Sequence, residues 1–283
     1  YKTFILIKKN KNNKIFFSKK KNTKIIFFFD LKSVIKKYSN KKNFFFIDSY
    51  NKKKIDIINN LTKNTISTAD NLTKINTKYL IDHTFLRKKK DHQYKNPKST
   101  IYVSHFFFPF IKKNKNKKRK YKYIMVNFGT HNSKRDILSV LTFIKRLKLD
   151  LNYKILIIDK SFRLNFIENR DLKNIFLIRY TNNLNDFYSK TVFCFGACGI
   201  SLYERSFYKI PSICKPIARN QTHNYQNFLR KNCILDFNST VLNKKFTIVE
   251  FNEMIKVSRK NLNIYFSSKK QISQINKLVK RIK

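Results

Sequence analysis

Only three glycines occur in the chain, and two of them fall in one segment, Phe193-Cys194-Phe195-Gly196-Ala197-Cys198-Gly199-Ile200-Ser201-Leu202-Tyr203-Glu204-Arg205. A chain this poor in glycine has few places for a tight strand-to-helix turn, so this segment marks one of them. An apolar run at 191–195 precedes the turn and a helix-patterned stretch follows it. Such a turn leaves backbone N–H groups pointing into open space, and the helix dipole adds partial positive charge there, which suits a phosphate. Glu204 falls about one turn into the helix, where a carboxylate can accept hydrogen bonds from ribose hydroxyls. Turn and carboxylate together suggest a nucleotide. The same spacing also fits a Gly199 that only ends a strand and a Glu204 that only opens a solvated helix face.

The rest of the chain supplies a scaffold for that turn. Short apolar runs at 4–7, 25–29, 43–47, 78–81, 123–128, 153–158, 174–180 and 211–216 predict buried strands, and 66–71 predicts a strand and its exit. Helix-spaced stretches at 31–38, 55–61, up to 147, 184–188, 201–208 and 221–229 fall between them, and 250–283 reads as amphipathic helix. Strand and helix alternating at this cadence predict an α/β chain with parallel, doubly wound sheets. Ligands in such folds bind at the carboxyl ends of strands, where 129–132, 196–201 and 218–221 lie. The expected organisation is a first domain over 1–111, a basic linker over 112–120, a second domain over 121–249 and a helical segment over 250–283.

Charge is the most extreme feature, with 63 basic against 16 acidic residues and a formal net charge of +47. Lys, Asn, Ile, Phe and Tyr are enriched everywhere, and Gly, Pro, Ala and Trp are scarce everywhere, which is the signature of A- and T-rich codons. A dedicated nucleic-acid protein concentrates its charge on one face or arm; here it is spread, so basic drift is the preferred reading and no dedicated nucleic-acid partner is expected. No apolar run reaches membrane-span length, and the expected setting is cytoplasmic. The chain opens on Tyr1 rather than Met, which reads as a cut N-terminus. Cys194, Cys198, Cys214 and Cys233 lack a zinc-type second pair and read as small buried thiols, with no metal and no cofactor expected. His83 and His131 each follow a strand in a ligand-facing position, and His131 is the better placed for phosphate. His92, His105 and His223 read as solvated, with His223 near the cleft. Asp48 and Asp82 are strand-end carboxylates that serve either as general bases or as caps. The run 106–110 reads as buried packing at a domain seam, with base stacking as the alternative.

Three ordered pieces carry a resemblance: Gly196-Ala197-Cys198-Gly199-Ile200-Ser201-Leu202-Tyr203-Glu204-Arg205, then Ile210-Pro211-Ser212-Ile213, then Ala218-Arg219-Asn220-Gln221. In this order and spacing they resemble nucleotide-sugar proteins of the GT-B superfamily. The best match is to the UDP-2,4-diacetamido-2,4,6-trideoxy-β-L-altropyranose hydrolases of pseudaminic acid synthesis and their spore-coat polysaccharide relatives. Asn127-Phe128-Gly129-Thr130-His131-Asn132 resembles a second glycine turn of that family. The resemblance covers about residues 25–235. It implies a GT-B-like fold, two Rossmann-like domains facing across a cleft with the first incomplete, and UDP held by the second. By the same resemblance, Gly196, Gly199, Ile200 and Ser201 present the diphosphate turn, Glu204 holds the ribose, and Asn220 and Gln221 reach diphosphate or sugar hydroxyls. Gly129 and His131 would flank them.

Two departures matter. Cys198 stands where the family has glycine and Ile200 where it has serine, so the turn is bulkier and one hydroxyl is missing. The family's Gly-x-Gly-His catalytic loop after the first strand has no counterpart, since the first histidine is His83 and the first glycine is Gly129. No catalytic residue is therefore assigned. The expected function is a UDP-sugar hydrolase of surface-glycan or nonulosonic acid synthesis, whose partner is a small-molecule UDP-sugar. The alternatives are a glycosyltransferase on the same scaffold and a non-enzymatic polyanion-binding protein.

Overall fold

The computed structural model describes residues 3–8, 23–28, 35–36, 45–47, 52–69, 72, 74–75, 77–108, 123–129, 133–158, 174–178 and 184–282. The chain divides into two compact units: Tyr1–His83 with Arg87–Val103, and Thr84–Leu86 with Ser104–Lys283. The basic run 112–120, the strand-end Asp48 and most of the helix expected at 31–38 lie outside the described residues.

In the first unit, β1 (Thr3–Lys8) pairs in parallel with β2 (Thr23–Phe28). A separate parallel sheet has the order β3-β4-β5-β6. Its strands are β3 (Phe45–Ile47), β4 (Thr65–Thr68), β5 (Tyr79–Asp82) and β6 (Thr100–Val103); α1 (Lys52–Leu61) links β3 to β4 and α2 (Lys89–Gln93) links β5 to β6. Ile55 of α1 is buried with Ile47, Leu80 and Ile101, which is how the helix covers the sheet. Neither β6 nor α2 was expected from sequence. Both are short, and α2 is held by a tertiary contact: the His92 Nε2 lies 2.6 Å from the Asp82 carboxylate, with both side chains fully buried. Arg87 approaches the same carboxylate at 3.4 Å. This corrects two readings. His92 is a core residue rather than a solvated one, and Asp82 is engaged by its neighbours rather than presented as a base.

The second unit carries a six-stranded parallel sheet of order β12-β11-β10-β7-β8-β9. In chain order its elements are β7 (Tyr123–Asn127), α3 (Lys134–Arg146), β8 (Lys154–Ile158), β9 (Ile175–Ile178), α4 (Leu184–Tyr188), β10 (Thr191–Ala197), α5 (Ile200–Phe207), β11 (Ser212–Lys215), α6 (Thr222–Arg230), β12 (Leu235–Asp236), α7 (Phe237–Val241), α8 (Ile248–Tyr265) and α9 (Ser268–Ile282). Both sheet faces are covered. Ile124, Val126, Phe193 and Phe195 point into one core with α3, while Met125, Leu156 and Cys194 point into a second with Tyr188 and Tyr208. Two buried faces explain why these strands read as unbroken apolar runs. The strand order is the doubly wound 3-2-1-4-5-6, so β7 and β10, neighbours in the sheet, send their following helices to opposite faces.

The C-terminal segment is two helices, not one. Phe266 leaves α8 in an extended conformation and is fully buried, stacked on Phe228 at 5.4 Å between centroids. Phe108, in the run expected to pack a domain seam, lies within the core of this unit and stacks on Tyr203 at 4.9 Å. His105, expected in solvent, is half-buried edge-on to Phe85 and Phe266, and its Nε2 lies 2.9 Å from the Tyr265 carbonyl. Burial lowers its pKa to about 4.

Candidate functional site

The strand order brings together two loops that are far apart in sequence. Gly196 of β10 is in register with Asn127 of β7, so the turn after β10 and the turn after β7 leave the sheet side by side. This is the switch point, where a doubly wound sheet opens a crevice at its carboxyl edge. Asn127 shapes the β7 side: its Oδ1 accepts from the Gly129 amide at 2.9 Å. Gly129 has φ +81°, a left-handed conformation that glycine adopts without strain, and it is exposed. His131 lies outside the described residues. Beyond it, the Ser133 hydroxyl caps α3 by accepting from the Asp136 amide at 3.4 Å. Lys215, at the end of β11, is 2.6 Å from the Asp136 carboxylate.

On the β10 side, Gly199 is the N-cap of α5. The Leu202 amide turns back to the Gly199 carbonyl at 3.0 Å. Among the described residues, the amides of Gly199, Ile200 and Ser201 make no hydrogen bond. A helix start leaves such donors unsatisfied, with the positive end of the helix dipole behind them. Ile200 is 68% exposed, so the turn opens to solvent rather than into the core.

Arg205 lies directly beneath this turn and was not expected as a site residue. Its side chain is fully buried, and its guanidinium donates to the Ala197 carbonyl at 2.7 Å, the Ser201 hydroxyl at 3.1 Å and the Ser212 hydroxyl at 3.1 Å. It forms no ion pair among the described residues. A buried cation without a carboxylate partner raises the potential of the turn above it. The sequence signal was available: a basic residue one helical turn beyond Ser201, on a stretch with the apolar members Leu202, Tyr203 and Phe207.

Glu204 sits half-buried on the same helix. One carboxylate oxygen accepts from the Tyr188 hydroxyl at 2.9 Å, and the other makes no hydrogen bond among the described residues. Burial pushes its pKa above the ordinary value, with the Tyr188 hydrogen bond and Arg205 opposing the shift. Burial and the neighbouring Glu204 push Tyr188 well above its own ordinary value.

Two of the expected ligand residues carry structural contacts. Gly196 is buried inside β10; a Cβ there would meet the Asn127 carbonyl oxygen at 2.5 Å and an Arg205 nitrogen at 3.0 Å. Its lack of a side chain admits the guanidinium and the β7 backbone. Gln221 Oε1 accepts from both the Cys198 and Ile217 amides at 3.1 Å, clamping the turn after β10 to the loop after β11. Its Nε2 would be 3.2 Å from a Cβ on Gly199, so the amide group covers that glycine. Asn220, beside it in the 3-10 turn Arg219–Gln221, is exposed. His223 is exposed, with its Nε2 2.9 Å from Asn227. All four cysteines are buried free thiols.

The chain is similar in fold to solved glycosyltransferases. The Streptomyces sp. SF2575 glycosyltransferase SsfS6, complexed with thymidine diphosphate, is 9% identical over 87% of this chain and 71% of that one, at a TM-score of 0.52. Medicago truncatula UGT71G1, complexed with UDP-glucose, is 15% identical over 89% of this chain and 78% of that one, at a TM-score of 0.53. The fold is GT-B-like. The glycotransferase of kitacinnamycin is 12% identical over 73% of this chain at a TM-score of 0.47, and this chain spans 55% of its length. No protein-family profile matches the chain, and no curated protein sequence does. No described helix is long and apolar enough to cross a membrane.

Proposed function

We propose that this chain is a nucleotide-sugar-dependent glycosyltransferase that grips a nucleoside diphosphate at the head of α5. The observation that carries the reading is the set of three open amides, Gly199, Ile200 and Ser201, at the switch point and above the buried Arg205. Amides and cation together favour a dianionic pyrophosphate. The same groups stabilise charge as it builds on the departing nucleotide, which is the electrostatic part of transfer chemistry. Glu204 accepts from the ribose hydroxyls through the oxygen that Tyr188 leaves available. Gly129 and His131 border the pyrophosphate from the β7 side, and the exposed Asn220 reaches sugar or phosphate. Gly196 and Gln221 shape the turn.

Two of the solved structures of similar fold are glycosyltransferases with TDP or UDP-glucose, which supports transfer to an acceptor over transfer to water. Hydrolysis, the pseudaminic-type product and a cytoplasmic setting rest on the motif resemblance and composition alone. Calorimetry with UDP, TDP and inorganic pyrophosphate tests the proposal. Both nucleotides bind with one site per chain. Glu204→Gln weakens UDP by roughly tenfold to a hundredfold, the worth of one charge-assisted hydrogen bond, and leaves pyrophosphate unchanged. Absence of UDP and TDP binding, with RNA binding that falls steeply with salt, would replace the proposal with polyanion binding.

A further inference from the structure

A second concavity lies at the other end of the same sheet. It has a volume of about 760 Å³ and is bordered by Leu149, Tyr153, Val192 and Phe193 on the sheet side and by residues 251–264 of α8 on the other. Val192 and Phe193 open β10, and Tyr153 immediately precedes β8, so the cavity is at the amino ends of the strands, away from the turn at Gly199. A volume of this size is in the range of small-molecule sites, roughly 300–1,000 Å³.

The lining is divided by polarity. Leu149, Phe193 and Phe251 are buried core residues whose edges form the floor, joined by the partly buried Ile255. Lys256, Arg259 and Lys260 line it from the α8 side, and among the described residues no carboxylate does. The acids adjacent to it in sequence, Asp150, Glu250 and Glu253, are not among its lining residues. Arg259 is held at the cavity by its hydrogen bond to the Val192 carbonyl at 3.1 Å. Ile264 also lines the cavity and is 57% exposed, which extends the apolar surface outward.

We infer that this cavity binds an amphiphilic anion, an alkyl chain carrying a phosphate or carboxylate head. The chain lies on the floor of Leu149, Phe193, Phe251 and Ile255, and the head meets Lys256, Arg259 and Lys260. An apolar floor gains from each buried methylene, and the cations give the head a matching charge. Two sources share this chemistry: a monomeric amphiphile and an anionic lipid of a bilayer surface.

The test is calorimetry on the full chain with dodecyl, decyl and octyl phosphate below their micelle concentrations, beside inorganic phosphate. The expected result is one saturable site, with affinity rising about fourfold per added methylene and no saturable inorganic phosphate site. Lys256→Gln with Lys260→Gln lowers dodecyl phosphate affinity at least tenfold. Lys89→Gln with Lys90→Gln, a charge-matched change at exposed positions on α2, leaves it unchanged and controls for the +47 background. Ile264→Asp flattens the chain-length dependence. Phosphatidylglycerol vesicles that displace dodecyl phosphate from the unsubstituted chain, where phosphatidylcholine vesicles do not, identify the bilayer as the source; failure of both to displace it identifies a monomeric amphiphile. The inference is overturned if dodecyl phosphate shows no saturable site, if inorganic phosphate binds as well as it does, or if the α2 control loses as much affinity as the α8 variant.

Discussion

Gly196→Ala separates a packing role from a ligand role at the switch point. The backbone at Gly196 has no positive φ, so alanine is conformationally allowed, and loss of chain freedom in the unfolded state favours the variant by about 0.5–1 kcal/mol. Against that, the new Cβ would lie 2.5 Å from the Asn127 carbonyl oxygen and 3.0 Å from an Arg205 guanidinium nitrogen. The carbonyl belongs to the paired strand β7 and cannot rotate aside, so β7 and β10 must part locally. Overpacking of this kind costs about 1–3 kcal/mol, and more where the neighbour is backbone. The expected net loss is about 2 kcal/mol, a fall of about 4–8 °C in the Tm of a domain of this size. Urea unfolding followed by circular dichroism measures it. Gly129→Ala is the comparison: nothing lies within 4 Å of its added Cβ, and only the left-handed φ of +81° penalises it, by about 1 kcal/mol. A Gly196→Ala chain as stable as the unsubstituted one would refute the close approach of β7, β10 and Arg205 on which the site geometry rests.

Tyr203→Phe removes a hydroxyl that accepts from the Phe85 amide and donates to Asn224 Oδ1, each at 2.8 Å and buried; the two stranded groups lower unfolding free energy by about 2–3 kcal/mol in urea titration. His105, held near pKa 4 against an ordinary 6.5, gives the fold a dependence of definite sign. Its native pKa is depressed, so the unfolded chain binds more protons between these values; the stability is full above pH 6.5 and is lost as pH falls toward 4. At pH 4.5 the loss is about 2.5 kcal/mol relative to pH 7, and His105→Gln removes that increment from urea midpoints measured at the two pH values.

The turn at Gly199, the strand before it and the helix after it were legible in sequence because each follows from local chemistry: scarce glycine, an apolar run and helical spacing. The roles within the turn were not. Gly196 and Gly199 look equivalent in sequence, yet one is a spacer inside a strand and the other the cap of a helix, because only the pairing of β10 with β7 crowds Gly196. The place of Gln221 in the motif says nothing of its packing; the structure engages its oxygen with two backbone amides. His92 looked solvated because its neighbours in sequence are charged or polar, and His105 although three phenylalanines follow it; their partners, Asp82 and Tyr265, come from elsewhere in the chain.

By itself, the sequence determined the α/β class, most strand and helix positions of the second unit and the existence of one glycine turn with a carboxylate behind it. These depend on residues within a few positions of one another. The tertiary structure decided the strand order, and so the meeting of the Gly129 and Gly199 loops, the burial of Arg205 beneath the turn, and the cation-rimmed cavity at the far end of the sheet. Those depend on which strands share hydrogen bonds, and hydrogen-bond partners in a parallel sheet are separated by whole helices, beyond the reach of any local pattern.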